Sequence, residues 1–379
     1  MRFGTKAVHA GVTPDPSTGA IMTPIYQTST YVQEAPGKHK GYEYARTQNP
    51  TRSALEAALA ALENGTHATC FASGLAATDA VMKLLAPGDE VIATNDLYGG
   101  TYRIFQRIYA PFGLQFQFAD LSNIQHLEAL ITPCTRLIWI ETPTNPLMRV
   151  IDIAGAVAIA RQHGVQVVVD NTFASPYLQT PLDLGADMVV HSITKYISGH
   201  SDVVMGCVVV KDDELNARLK FIQNASGAVP GPQDCFLALR GMKTLHIRMR
   251  THCENGTRVA HFLSEHPRVT QVNWPGFAYH PNHIVARDQM RDFGGMISFT
   301  LKEDNMEAAL KVLSNTRIFA LAESLGGVES LIGHPASMTH ASIPREERLR
   351  SGLSDTLIRL SVGIEDVEDL LEDLDQALQ

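Results

Sequence analysis

From Asn49 to Val210 the chain alternates short apolar runs with stretches of helical period, and few architectures accept that pattern. Asn49-Pro50-Thr51-Arg52 opens a helix with apolar positions at Leu55, Ala58, Leu59 and Leu62, and Asn64-Gly65 stops it. The pattern then predicts strands over 68–72, 90–94, 114–118, 137–140, 165–169, 188–191 and 203–210. Helices are expected between them over 75–85, 101–109, 124–131 and 153–163. Such βαβα alternation specifies an α/β fold: a mostly parallel sheet of about seven strands between two layers of helices.

The flanks read differently. Residues 212–224 and 233–255 carry helical period, the second as one long helix. Beyond Asn255, helices are expected over 258–265, 305–313 and 367–377, with strands over 269–272, 295–301 and 357–362, which makes a smaller α+β domain. Residues 1–48 are punctuated by Thr13-Pro14-Asp15-Pro16, Ser17-Thr18-Gly19 and Glu34-Ala35-Pro36-Gly37, with little period between. That is an extended N-terminal arm. Its apolar residues Ile21, Ile25, Tyr26 and Tyr31 need cover, either from the chain's own body or from another subunit. The expected division is an arm over 1–48, a large domain over 49–240 and a C-terminal domain over 241–379.

Composition removes several functions. A net charge of -9 argues against a partner held by phosphate neutralisation, so no nucleic acid is expected. No apolar run reaches the roughly 18 residues that cross a bilayer, so no membrane is expected either. The opening segment lacks the apolar core of a signal peptide. Five scattered cysteines, with no CxxC pair, fit a reduced, cytoplasmic chain better than a disulfide framework. No metal signature, GxGxxG, Walker loop or GxSxG is present.

Two of the predicted strands end in residues that packing would not choose. Val165–Val169 runs into Asp170, and Met188–His191 into Ser192-Ile193-Thr194-Lys195. In open α/β sheets, ligands bind at the carboxyl ends of strands. A lysine after a strand is ordinarily a solvated surface group. Here two hydroxyls, Ser192 and Thr194, stand just before it, suited to phosphate oxygens while the amine reaches an aldehyde. Asp170 is either a buried helix cap or the partner of a protonated pyridine nitrogen, which a carboxylate in a dry site maintains. Ser73-Gly74-Leu75 sits where a strand turns into a helix, a place where backbone N–H groups and the helix dipole favour an anion. Tyr98, beside Gly99-Gly100, offers a ring face at another such junction. Arg359, inside an apolar strand, has the fork that matches a carboxylate, or simply marks the wet face of that strand. Glu323 and Ser324 form a polar pair in an apolar, glycine-ended loop.

These segments resemble one family together: the pyridoxal-phosphate enzymes of cysteine and methionine metabolism, whose fold is the type I transferase fold of such enzymes. The motifs are YARTQNPTR (44–52), ASGLAA (72–77), DLYGGTYR (96–103), ETPTNP (141–146), VVDNTFASP (168–176), HSITKYISGHSDVVMG (191–206), LAESLGGVESL (321–331), MTHAS (338–342) and LIRLSVGIEDVEDL (357–370). The resemblance spans nearly the whole chain. It implies pyridoxal 5'-phosphate as cofactor, carried by Lys195, which also moves protons. It further implies Asp170 at the ring nitrogen, Tyr98 as stacking ring and general acid, and Gly74, Leu75, Ser192 and Thr194 at the phosphate. Tyr44 and Arg46 match residues that reach the phosphate, and in the case of the tyrosine also the substrate, from the adjacent subunit. This implies a homotetramer built from dimers and assigns the arm to a subunit contact. Asn145, Ser324 and Arg359 match contacts to the substrate carboxylate and a cofactor oxygen. Glu323 suits the distal ammonium of cystathionine. The stretches GAVPGPQDC (227–235), RGMKTLHIRM (240–249) and LLEDLDQAL (370–378) resemble members that cleave L-cystathionine at Cγ more than those that build it from an activated homoserine. Cysteine and homocysteine are the expected minor substrates, with hydrogen sulfide as their product.

Overall fold

The computed structural model describes residues 1–303, 305–341 and 344–379. Seven strands form the central sheet: β1 (His67–Phe71), β2 (Glu90–Thr94), β3 (Gln115–Ala119), β4 (Thr135–Glu141), β5 (Gln166–Asp170), β6 (Met188–Ser192) and β7 (Gly206–Val210). Their order is β1-β7-β6-β5-β4-β2-β3. β3, β2, β4, β5 and β6 run parallel, and β7 is antiparallel to both β6 and β1. The central strands are buried on both faces, as crossover helices on both sides require; Val91–Ala93, Val208–Val210 and the middle of β4–β6 are accordingly continuous runs of Val, Ile, Leu, Trp and Ala.

The order reverses between β2 and β4. From β2 the chain moves outward to the edge strand β3, then returns to the other side of β2 as β4. At such a reversal the connections diverge to opposite faces and leave a crevice at the carboxyl ends. The last residue of β5, Asp170, and the segments after β2, β4 and β6, with Tyr98, Asn145 and Lys195, come to that end.

A second sheet follows: β8 (Val269–Asn273), β9 (Met296–Leu301), β10 (Ala320–Leu321), β11 (Leu331–Gly333) and β12 (Ile358–Ser361), in the order β10-β11-β12-β9-β8. Its buried face packs with the helix Val367–Ala377 through Leu370, Leu374 and Leu378 against Ile297, Phe299 and Leu360.

Several local expectations need correction. The arm begins with a helix, Phe3–His9, whose Ala7 packs in the same core as Leu55 and Leu59. The expected helix over 233–255 is two: Pro232–Met242 and Leu245–Glu265. The second absorbs the separate helix expected over 258–265. Buried Arg248 explains the break, since it donates to the carbonyls of Gly241, Tyr196 and Ile197 at 3.0, 2.7 and 3.2 Å. The Gly241 carbonyl, in the last turn of the first helix, is thus taken by a side chain and by Thr244 N–H instead of continuing the helical ladder. The last residue of the segment 338–342, Ser342, lies outside the described residues. Among those residues, no helix is long and apolar enough to cross a membrane and no His/Cys/Asp/Glu cluster fits a metal ion.

Candidate active site

The crevice holds a cavity of about 340 Å³ lined by Ser73, Gly74, Leu75, Tyr98, Glu141, Asn145, Asp170, Thr172, Ser192, Thr194, Lys195, Glu323, Ser324 and Arg359, among others. Eleven residues expected from the sequence meet there. The other two, Tyr44 and Arg46, do not.

Lys195 follows β6 and reaches back into the crevice, where Nζ donates to Ser324 Oγ at 2.8 Å. Burial first, then the Arg359 guanidinium, lowers its pKa from 10.5 to about 8, against a smaller opposite pull from Glu323. Ser324 holds this position with φ +115°, a value side chains rarely adopt. That twist turns its hydroxyl to Lys195 and its carbonyl to Arg359 Nη2 at 3.0 Å. Arg359 Nη1 donates to Asn145 Oδ1 at 3.0 Å. Arg359 therefore faces inward, not to solvent, and is only 5 % exposed. Burial lowers its pKa to about 10, which leaves it charged at neutral pH.

Asp170 ends β5. Oδ1 accepts from Thr172 Oγ1 at 2.6 Å and from Thr172 N–H at 3.1 Å. Burial pushes its pKa up, while these two donors and His191 pull it down. Thr172 Oγ1 also accepts from Ser192 N–H at 2.9 Å, tying the ends of β5 and β6 together. Tyr98 is 40 % exposed at the cavity wall, and burial of the rest raises its phenol pKa.

The turn after β1 leaves a helix N-terminus open to the cavity, as an anion cradle would need. Ser73 caps the helix Gly74–Met82, its Oγ accepting from Ala76 N–H at 3.0 Å. A Cβ at Gly74 would stand 2.9 Å from Ser192 Cβ, and one at Gly206 would stand 2.4 Å from the Ser73 carbonyl oxygen. Two glycines thus let β1, β6 and β7 close around the helix N-terminus. Thr194 Oγ1 accepts from Met205 N–H at 3.0 Å, which fixes the hydroxyl beside that cradle.

Tyr44 and Arg46 lie in a separate cleft with Gln27, Ser29, Val229 and Pro232. Both are exposed, and the guanidinium sits 5.7 Å from the tyrosine ring centroid.

Three residues that shape the site are not among those singled out from the sequence. Glu141 ends β4 as Asp170 ends β5, and the two are register partners. The signal was the same, an acid closing an apolar run. Thr172 carried no signal of its own. His340 is buried, and its Nε2–H points to the carbonyls of Asn145 and Leu97 at 3.0 and 3.2 Å, joining the C-terminal segment to the loops that hold Asn145 and Tyr98.

An open sheet with a half-neutral lysine, a buried carboxylate and a glycine-walled helix terminus at one crevice belongs to enzymes that work through a phosphorylated aldehyde. A family model described as Cys/Met metabolism PLP-dependent enzyme matches residues 4–379, and the chain belongs to that family. It is 54% identical to a cystathionine gamma-lyase of Dictyostelium discoideum, over 100% of this chain and 97% of that one. It is 52% identical to a cystathionine beta-lyase of Coxiella burnetii, over 99% and 97%. The structure of a cystathionine gamma synthase from Xanthomonas oryzae pv. oryzae, in complex with aminoacrylate and cysteine, superposes with a TM-score of 0.97 at 45% identity, over 100% and 98%.

The residues present fit pyridoxal phosphate on the chain's own geometry. An aldehyde needs an amine that is neutral near pH 8, a ring nitrogen needs a carboxylate with a free oxygen, and a phosphate needs a cradle that side chains do not fill. Lys195, Asp170 and the Ser73–Gly74 turn meet those needs in one cavity.

Proposed function

We propose that this enzyme cleaves L-cystathionine at Cγ, taking up one water and releasing cysteine, 2-oxobutanoate and ammonia. The observation that carries the proposal is the pairing of charges in the cavity wall, where Arg359 and Glu323 flank Ser324 and Lys195. Cystathionine bears an amino-acid group at each end. Arg359, preorganised by Asn145 and Ser324, takes the carboxylate of the reacting end. Glu323, exposed at the mouth, takes the distal ammonium.

When bound, pyridoxal phosphate supplies the electron sink for the substrate Cα. The chain supplies position and protons. Lys195 would hold the cofactor through its amine. With substrate seated beside it, that amine, with its lowered affinity for protons, would remove the Cα proton and then one from Cβ. Tyr98, in the cavity wall, would face the cofactor ring. Its raised pKa keeps the phenol protonated at neutral pH, so Tyr98 or Lys195 delivers the proton to the departing sulfur. Asp170 would hold the ring nitrogen. Gly74, Leu75, Ser192 and Thr194 would hold the phosphate, joined from a partner subunit by Tyr44 and Arg46, with Tyr44 also reaching substrate. Cysteine and homocysteine enter the same site as smaller substrates and release hydrogen sulfide.

The test compares products. Purified holoenzyme is given cystathionine, and separately cysteine with O-acetyl- or O-succinylhomoserine. The expected major flux is 2-oxobutanoate from cystathionine, with a KM that Glu323→Ala raises far more for cystathionine than for homocysteine. Cystathionine formation as the faster reaction would assign the enzyme to γ-replacement, and pyruvate with homocysteine would assign it to β-elimination.

A further inference from the structure

Glu141 has no place in the chemistry just described, yet it lines the same cavity. It ends β4 directly beside Asp170 at the end of β5, in register on adjacent parallel strands. Strands so paired lie about 4.8 Å apart. Two carboxyl side chains that leave such neighbouring strand ends on the same face, away from bulk water, oppose each other's charge, and both do not ionise.

The donors around them decide which one keeps its charge. Asp170 accepts two hydrogen bonds from Thr172 and lies in the field of His191. Glu141 accepts one, at Oε2 from Tyr98 N–H at 2.9 Å. The charged and titratable groups facing Glu141 are Asp170 on β5, Asp96 after β2, Tyr98 and Arg359 on β12. Two of the four are acids that oppose a charge on Glu141. The cation whose field favours a charge on Glu141, Arg359, already directs its terminal nitrogens to Asn145 and Ser324. Glu141 is itself only 4 % exposed. Burial and Asp170 push its pKa well above the carboxylate range.

We infer that Glu141 stands in this site as a neutral carboxylic acid, leaving Asp170 the single negative charge at these two strand ends. The proton sits on Oε1, the oxygen that Tyr98 N–H leaves open. Glu141 is a positioning residue. It anchors the backbone of the Tyr98 loop, and by staying neutral it keeps one charge, not two, opposite the ring nitrogen. The consequence for the ring rests on the assignment of Asp170 made above; the proton on Glu141 does not.

Infrared spectra of apoprotein and holoenzyme test this, comparing wild type with Glu141→Gln at neutral pH. The apoprotein shows a C=O stretch of a protonated carboxyl that shifts in heavy water and is lost in the Gln variant. In the holoenzyme, Glu141→Gln leaves the midpoint of the cofactor's absorbance titration in place, because one neutral group replaces another. If no such band is lost, or if that midpoint moves by about one pH unit or more, as removal of a neighbouring charge would cause, the inference fails. Should the Gln variant not fold, wild-type apoprotein carrying carbon-13 at the glutamate δ position gives the same decision. One resonance stays at the protonated position at neutral pH, and its absence overturns the proposal. Asp170→Asn separates the two readings. If it leaves the cofactor's absorbance unchanged, the role of Asp170 fails, while the apoprotein band still decides Glu141.

Discussion

Lys195 shows how far one side chain's environment changes its chemistry. An ordinary lysine amine is almost wholly protonated at neutral pH and cannot attack an aldehyde. Here burial, reinforced by Arg359, favours the neutral form, and half of the amine is deprotonated near pH 8. The nearest hydrogen-bond partner is a serine hydroxyl, not a carboxylate that would restore the charge. Capture of pyridoxal phosphate by the apoprotein should therefore quicken up to about pH 8 and then level off. A rate still climbing steeply toward pH 10 in stopped-flow absorbance would mean that Lys195 titrates as a surface lysine. Ser324 contributes through its backbone. Its positive φ presents the hydroxyl and the carbonyl to two different cations, and a glycine there would relax that constraint.

The element that most depends on close approach is the β1 turn into the helix Gly74–Met82. β7 runs antiparallel between β1 and β6, so its first residue, Gly206, pairs with both Phe71 and Ser192. Even the Cα of Gly74 would lie 2.6 Å from a Cβ added at Gly206. Gly206→Ala must push the helix start away from the strands, while β7 itself, paired along its length, persists. The variant should fold but hold pyridoxal phosphate at least about tenfold more weakly, about 1.4 kcal/mol, as measured by equilibrium dialysis. Unchanged affinity would mean that the turn does not hold the phosphate. The central strands were legible because burial on both faces writes them as mostly apolar runs, the edge strand β3 because Gln and Phe alternate along it, and Asp170 and Lys195 because they are charges set just past such runs. The break between Pro232–Met242 and Leu245–Glu265 was not. It depends on Arg248 reaching carbonyls of the segment after β6, and no local residue announces that contact. His340 escaped for the same reason, since its partners lie some two hundred residues away in sequence.

Over the whole molecule, two facts concern how separate parts meet. The first is the His340 latch between the C-terminal segment and the loops of the large sheet. Burial lowers the His340 pKa from 6.5 to about 4. The unfolded chain therefore takes up this proton at a higher pH than the folded one does, and the stability His340 provides is present above about pH 6.5 and lost as pH falls toward 4. Asp96, raised to about 6 by burial, works in the opposite direction, so the wild-type curve alone hides the effect. The destabilisation caused by His340→Gln should shrink between pH 7 and pH 4.5 in paired thermal melts, and a constant difference would exclude the latch as the titrating group. The second fact is the separation of Tyr44 and Arg46 from Lys195. Within one chain the cradle has its helix terminus and its hydroxyls, while the arm's cation and phenol face a different, open cleft. We propose that a second copy's arm completes the Lys195 cavity; across a two-fold axis the exchange would then be mutual, because an isologous interface presents the same parts in both directions. Mixing makes this testable. Lys195→Ala has an intact arm and a dead cavity, and Arg46→Ala has an intact cavity and a defective arm. After dissociation and random reassociation, half of the dimers are mixed, and in each the Arg46→Ala cavity receives a sound arm from its neighbour. About a quarter of all sites should then regain wild-type turnover. If each arm served its own cavity, mixing would restore nothing beyond the sum of the separate variants.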